Sequence, residues 1–168
     1  MRMFTISILV KNQFGVLNRV TSMFRRRQFN ISSLTVSETE SPSFSRITVQ
    51  YFADEIKKQQ LVNQLYKLPD VSAITELDSE TSIGRELLLV KVENDPSVRS
   101  DIKDAIDAFR ASIIDYTKES MVIQLVGDSR KIDDFINLMR DYKILEICRT
   151  GVVALEKGAT TIRSNSYF

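Results

Sequence analysis

Near its start the chain alternates between apolar and more polar positions from residue 4 to residue 10, which is the two-residue period of a β-strand. The pattern breaks at residues 11–15, and apolar residues then recur at the spacing of one helical face. Two more strand patterns, a second helical stripe and a fourth strand pattern follow. The first half therefore predicts the element order βαββαβ.

The same order returns after a polar stretch at residues 79–84. Strand patterns at residues 87–92, 112–117, 121–126 and 144–155 alternate with two helical stripes, the second capped by Asp128 or Ser129. We predict an α+β protein with two ferredoxin-like βαββαβ domains in tandem, each an antiparallel sheet with two helices on one face. The predicted boundaries are a first domain at 1–78, a linker at 79–84, a second domain at 85–158 and a loose tail at 159–168.

The face of the first sheet that the helices leave open also carries apolar residues. Ile8 and Leu9 are neighbours in one strand and therefore point to opposite faces. An apolar sheet face that no helix covers is expected to be buried against another surface, so this pattern favours a dimer.

Composition excludes several classes of function. Apolar residues make up 43% of the 168, which is enough to build real cores. The 23 basic residues nearly balance the 22 acidic ones, so the chain lacks the electrostatic signature of a nucleic-acid binder. No apolar run is long enough to cross a bilayer, and a strand pattern begins at once where a signal peptide would lie. We therefore predict a cytoplasmic protein that binds neither membrane nor nucleic acid.

The chain has no histidine and a single cysteine, Cys148. The commonest general base and metal ligand is therefore missing, and thiolate metal cages are excluded. Since Cys148 lies in an apolar stretch, we predict a packed core thiol. We expect no catalytic residues and no metal site in this chain.

The segment between the first strand and the first helix has the chemistry to bind an amino acid. Gly15 allows a tight turn, and the helix beyond it begins with unpaired N–H groups that suit a carboxylate. The side chain of Asn12 offers a donor and an acceptor, and Asn30 precedes the second strand. The alternative is that Asn12 and Gly15 merely build a turn. The candidate effector site comprises Asn12, Gly15, Val16, Leu17, Asn30 and Ile31.

Longer strings carry a family resemblance. Residues 6–49 closely resemble the N-terminal region of acetolactate synthase small subunits, through Asn12 with the string at 15–17 and through the string at 29–36. A second string, Arg-Thr-Gly-Val-Val-Ala-Leu at 149–155, matches the same family, and the resemblance spans about residues 3–158.

This resemblance implies a regulatory role. The first domain would be an ACT domain that pairs with a second copy into one extended sheet, with valine or another branched-chain amino acid bound at the interface. The partner would be a large catalytic subunit that holds thiamine diphosphate, Mg²⁺ and FAD, so this chain would carry no cofactor. The small subunit would activate that partner and confer feedback inhibition of branched-chain amino acid biosynthesis.

Two other interpretations use the same pattern. A stand-alone ACT-type amino-acid binder could serve another enzyme or a transcription factor, but the string at 149–155 argues against it. RNA-recognition domains share the βαββαβ order, yet the third strand pattern lacks their basic-glycine-aromatic signature.

Overall fold

The computed structural model describes residues 1–165, and they form two compact units. The first unit contains residues 1–84 together with residues 152–165. Its sheet has the strand order β2-β3-β1-β4, with every neighbouring pair antiparallel. The elements are β1 (Arg2–Lys11), α1 (Val16–Arg26), β2 (Ile31–Glu38), β3 (Phe44–Ala53), α2 (Glu55–Leu65) and β4 (Val71–Glu76).

The second unit, residues 85–151, repeats this arrangement. Its strands follow the order β6-β7-β5-β8, and its two helices connect β5 to β6 and β7 to β8. The predicted fold class is therefore confirmed. The remaining elements are β5 (Ser82–Glu93), α3 (Arg99–Phe109), β6 (Ser112–Tyr116), β7 (Ser120–Gly127), α4 (Ser129–Met139), β8 (Ile144–Arg149), β9 (Val153–Glu156) and a short 3₁₀ helix (Ile162–Asn165).

Each core lies between a sheet and its two helices. In the first unit, alternate residues of β1 and β3 meet the apolar stripe of α1, and Phe24 packs edge-on against the ring of Tyr51 at 5.5 Å. Val16 and Val20 are buried in the same core, whereas Leu17 from the predicted stripe stays 41% exposed. Leu17 is therefore not part of the core between α1 and the sheet.

The open face of the first sheet is covered by the end of the same chain. The backbone N–H of Val152 donates to Ser33 Oγ at 3.1 Å, and that of Lys157 donates to the Thr81 carbonyl at 2.8 Å. Farther on, Ile162 is only 5% exposed and packs on Leu9 and Ala73. We call residues 152–165 the C-terminal segment.

The boundaries predicted for the end of the chain differ from this structure. Residues 152–158, predicted as part of the second domain, belong to the first unit, and residues 159–165 of the predicted loose tail fold against its sheet. The sequence does not predict the docking of residues 159–165, because their single buried isoleucine, Ile162, stands among polar residues and forms no strand or helix periodicity. Residues 166–168 of that predicted tail lie outside the described residues.

Two local predictions in the second half were wrong. The single strand expected at 144–155 is divided into β8 and β9, because Gly151 takes a left-handed φ of 82°. Cys148 is an exposed free thiol instead of a core residue, since the stretch that contains it forms the edge strand β8. The start of β5 also extends into the polar stretch predicted as a linker.

No helix in the described part of the chain is long and apolar enough to span a membrane.

Candidate functional site

The turn between β1 and α1 is built around one glycine. Gly15 has a φ of +78°, in the left-handed region that residues with side chains rarely adopt. A Cβ at this position would lie 3.2 Å from Arg19 Nη1, one helical turn farther on. The conformation therefore brings the backbone of the turn close to a guanidinium and leaves no room for a side chain without displacing it.

Asn12 ties this turn to the far end of β2. Its Nδ2 donates to Glu38 Oε1 at 3.0 Å and to the Pro42 carbonyl at 3.0 Å, while its backbone N–H donates to the Ser43 carbonyl at 2.8 Å. The β1–α1 turn, the end of β2 and the β2–β3 turn thus meet at one edge of the sheet. Asn12 does build the turn, as the alternative interpretation held, and its side chain also links the turn to β2.

The start of α1 differs from the starts of α2 and α4. Asp54 and Asp128 accept hydrogen bonds from the backbone N–H groups of Lys57 and Lys131, which caps those two helices. Gly15 offers no such group, and no side chain of the described residues caps α1. The backbone N–H of Val16 donates to the Gln13 carbonyl at 3.3 Å, so the N–H groups of Leu17 and Asn18 are the ones that keep their capacity to bind an external carboxylate.

An ion pair beside the turn was not anticipated from the sequence. Arg19 donates through Nε and Nη2 to Asp70 Oδ2, at 2.8 and 2.7 Å. The Asp70 carbonyl in turn accepts from the backbone N–H of Lys11 at 2.9 Å. The spacing of four residues between Gly15 and Arg19 was the available signal, because such residues lie on one side of a helix. Glu38, which accepts from Asn12, is the other contributor that was not identified from the sequence.

Asn30 and Ile31 do not join this turn within one chain, contrary to the prediction. Ile31 pairs with Tyr51, which pairs with Phe4, so β2 begins level with the start of β1. The turn follows Lys11 at the other end of β1. Lys11 is seven residues from Phe4, which is about 23 Å at the rise per residue of a strand. The expectation of proximity was wrong because α1 runs back along the sheet before β2 begins.

Comparison with known proteins decides the family. Residues 85–158 match the family described as the small subunit of acetolactate synthase, and residues 6–73 match the ACT domain described as AHAS small subunit-like. The acetolactate synthase small subunit of Bacillus subtilis is 43% identical over 154 residues, covering 91% of this chain and 90% of its own. The chain belongs to the acetolactate synthase small-subunit family.

Two further members of the family also match this chain along nearly its whole length. The small subunit of acetolactate synthase isozyme 3 from Escherichia coli is 40% identical, with 94% of this chain and 98% of that protein covered. The crystal structure of the acetolactate synthase small subunit from Thermotoga maritima superposes with a TM-score of 0.87 at 37% identity, covering 95% of this chain and all of that one. Both compact units therefore have counterparts in the family.

The second unit of this small-subunit fold holds an ion-pair network around the buried Glu86. Glu86, 4% exposed, accepts from Arg149 Nη2 at 2.7 Å and from Ser129 Oγ, while Arg149 Nη1 donates to Asp133 at 2.8 Å. Burial lowers the Arg149 pKa, but its hydrogen bonds to Glu86 and Asp133 outweigh burial and raise it above the ordinary value. Every member of the network has a partner, which is typical of a structural device. Among residues 1–165, no group of acidic, cysteine or histidine side chains is arranged to hold a metal ion.

Proposed function

We propose that this chain is the regulatory subunit of acetolactate synthase. It activates a separate large catalytic subunit in the cytoplasm and makes that subunit sensitive to valine or another branched-chain amino acid. The observation that carries the proposal is similarity to acetolactate synthase small subunits along both compact units. Thiamine diphosphate, Mg²⁺ and FAD would belong to the catalytic subunit.

A dimer through β2 would complete the effector site. β2 is an edge strand, so a second copy can add its own β2 antiparallel to it. Antiparallel pairing across a two-fold axis sets the beginning of one β2 beside the end of the other. Asn30 and Ile31 of one copy would then lie near Glu38 of its partner, which contacts Asn12. The separation within one chain is what a site shared by two copies requires.

The residues assembled in this way match the parts of an aliphatic amino acid. The uncapped start of α1 suits the carboxylate, and Glu38 with the Asn12 side chain suits the ammonium group. Leu17, exposed at the turn, and Ile31 of the second copy would contact the aliphatic side chain. Occupancy would favour one arrangement of the two ACT domains. Couplings between such sites are typically about 1–3 kcal/mol, which is about five- to 150-fold in affinity.

The test is reconstitution with the catalytic subunit of the same organism, followed by acetolactate assays with and without valine, leucine and isoleucine. We expect Gly15→Asp to abolish inhibition while complex formation survives, because its carboxylate repels the effector's own. Gly15→Ala carries the same backbone strain without the charge, so it should keep a weakened response. Unchanged inhibition in Gly15→Asp would show that the site is elsewhere.

Mixed dimers test whether the site is shared. A dimer of one Gly15→Asp chain and one Asn30→Ala chain has one site with both changes and one intact site, if each site draws residues from both copies. We expect this heterodimer, purified away from the two homodimers, to regain about half of the effector binding that either homodimer has lost. A heterodimer that binds no better than the two homodimers would place the whole site within one chain.

A further inference from the structure

A cavity of about 340 Å³ lies on the open face of the first sheet, under the C-terminal segment. This volume falls at the lower end of the range for small-molecule sites. Its apolar wall consists of Leu9 and Leu77 from the first half of the chain and of Leu155 and Ile162 from the C-terminal segment. Four threonines and a glycine also line the cavity, namely Thr39, Thr75, Gly158, Thr160 and Thr161.

The charged groups of this cavity are balanced. Arg46 and Arg163 face Glu40 and Glu156. Arg163 pairs with Glu40 at 3.1 Å, and Arg46 donates to the buried Ser7 Oγ at 3.2 Å. Burial lowers the Arg46 pKa, and the nearby Glu40 and Glu156 offset part of that effect. The Arg46 guanidinium is therefore held in place within a partly desolvated, mixed-charge environment.

We propose that this cavity is a second binding site, specific for a small aliphatic amino acid. Arg46 binds the carboxylate, the acidic side of the cavity at Glu156 binds the ammonium group, and Leu155 and Ile162 enclose the aliphatic side chain. A zwitterion matches both signs of this mixed-charge lining, whereas an anion or a cation alone leaves one sign unmatched. The site lies on the sheet face opposite α1 and does not depend on the role of Gly15.

The experiment uses the full-length chain with Gly15→Asp, which removes the proposed interface site. L-Leucine, L-isoleucine and L-valine are titrated by calorimetry and by saturation-transfer NMR. Isocaproate and isoamylamine serve as controls that carry only one of leucine's two charges. We expect at least one amino acid to bind, and both single-charge analogues to bind at least about tenfold more weakly, since each loses a charge-assisted hydrogen bond.

Adding Arg46→Met should weaken the amino acid by about tenfold or more. Leu155→Trp provides a second variant that does not depend on a buried group, because Leu155 is 58% exposed and a larger side chain there fills the cavity without disturbing the core. Circular dichroism verifies the fold of each variant.

Three results would overturn the proposal: no binding of any of the three amino acids up to about 10 mM, binding that both Arg46→Met and Leu155→Trp leave unchanged, or isocaproate binding as tightly as leucine. Failure of the interface site has a different signature. The wild-type chain and Gly15→Asp would then give the same titration curve, with Arg46→Met still weakening it.

Discussion

Replacing Ile162 by alanine tests whether the C-terminal segment is held on the first sheet by apolar contact. Ile162 is almost fully buried against Leu9 and Ala73, with Phe44 packed at the edge. The substitution removes three carbon atoms, and burial of each contributes about 0.8 kcal/mol. The free energy of opening of the C-terminal segment should therefore fall by about 2 kcal/mol. Its opening equilibrium should then increase by about 30-fold.

Amide hydrogen exchange measures this change residue by residue. The N–H of Lys157 is a suitable reporter, because it donates to the Thr81 carbonyl at 2.8 Å only while the segment is docked. Exchange through local opening tracks the free energy of that opening, so the Lys157 amide should exchange about 30-fold faster. Leu155→Ala is the matched control, since it also removes three carbons but from a mostly exposed side chain. Equal exchange in wild type and Ile162→Ala would refute the packing argument.

Three further predictions concern stability and are measured by urea unfolding. Glu86→Ala should lower the free energy of unfolding of the second unit by about 3 kcal/mol, because it leaves the part-buried Arg149 without its main partner. The control is Glu146→Ala, which removes an exposed ion pair with Lys91 and should change the free energy of unfolding little. Asp128→Ala removes the cap of α4 and should cost about 1 kcal/mol. Burial, with smaller contributions from nearby acids, raises the Tyr51 pKa, so the unfolded chain loses this proton first and stability should fall as pH rises above about 10. Tyr51→Phe should remove that loss.

Most of the fold could be predicted because its elements bury regular stripes. The alternating apolar residues of β1 and the helical stripe of α1 face the same core, so both elements can be identified from their periods. The order βαββαβ is then compatible with only a few sheet topologies. The end of the chain could not be predicted in this way. Ile162 is held by the shape of a sheet face assembled from β1 and β4, more than 85 residues earlier, and no local pattern reports such a contact.

In the candidate site too, the residues with a local role could be predicted and those with distant partners could not. Gly15 and Asn12 could be identified because their residue types fit a turn that local chemistry requires. Arg19 and Glu38 were missed, since their relevance comes from partners far away in the sequence: Asp70 in one case and Asn12 in the other. Asn30 was assigned to the site, but strand register places it at the other end of the sheet.

The covered sheet face changes the physical reason for expecting a dimer. Apolar residues on both sides of β1 suggested that a second copy covers the open face, yet Leu9 is buried by Ile162 of the same chain. What remains available to a partner is the edge strand β2, where Val36 is 40% exposed. An edge dimer extends the sheet and leaves its covered face intact. A dimer formed in this way would bring the beginning of one β2 to the end of the other, which is the geometry that reunites Asn30 with Asn12.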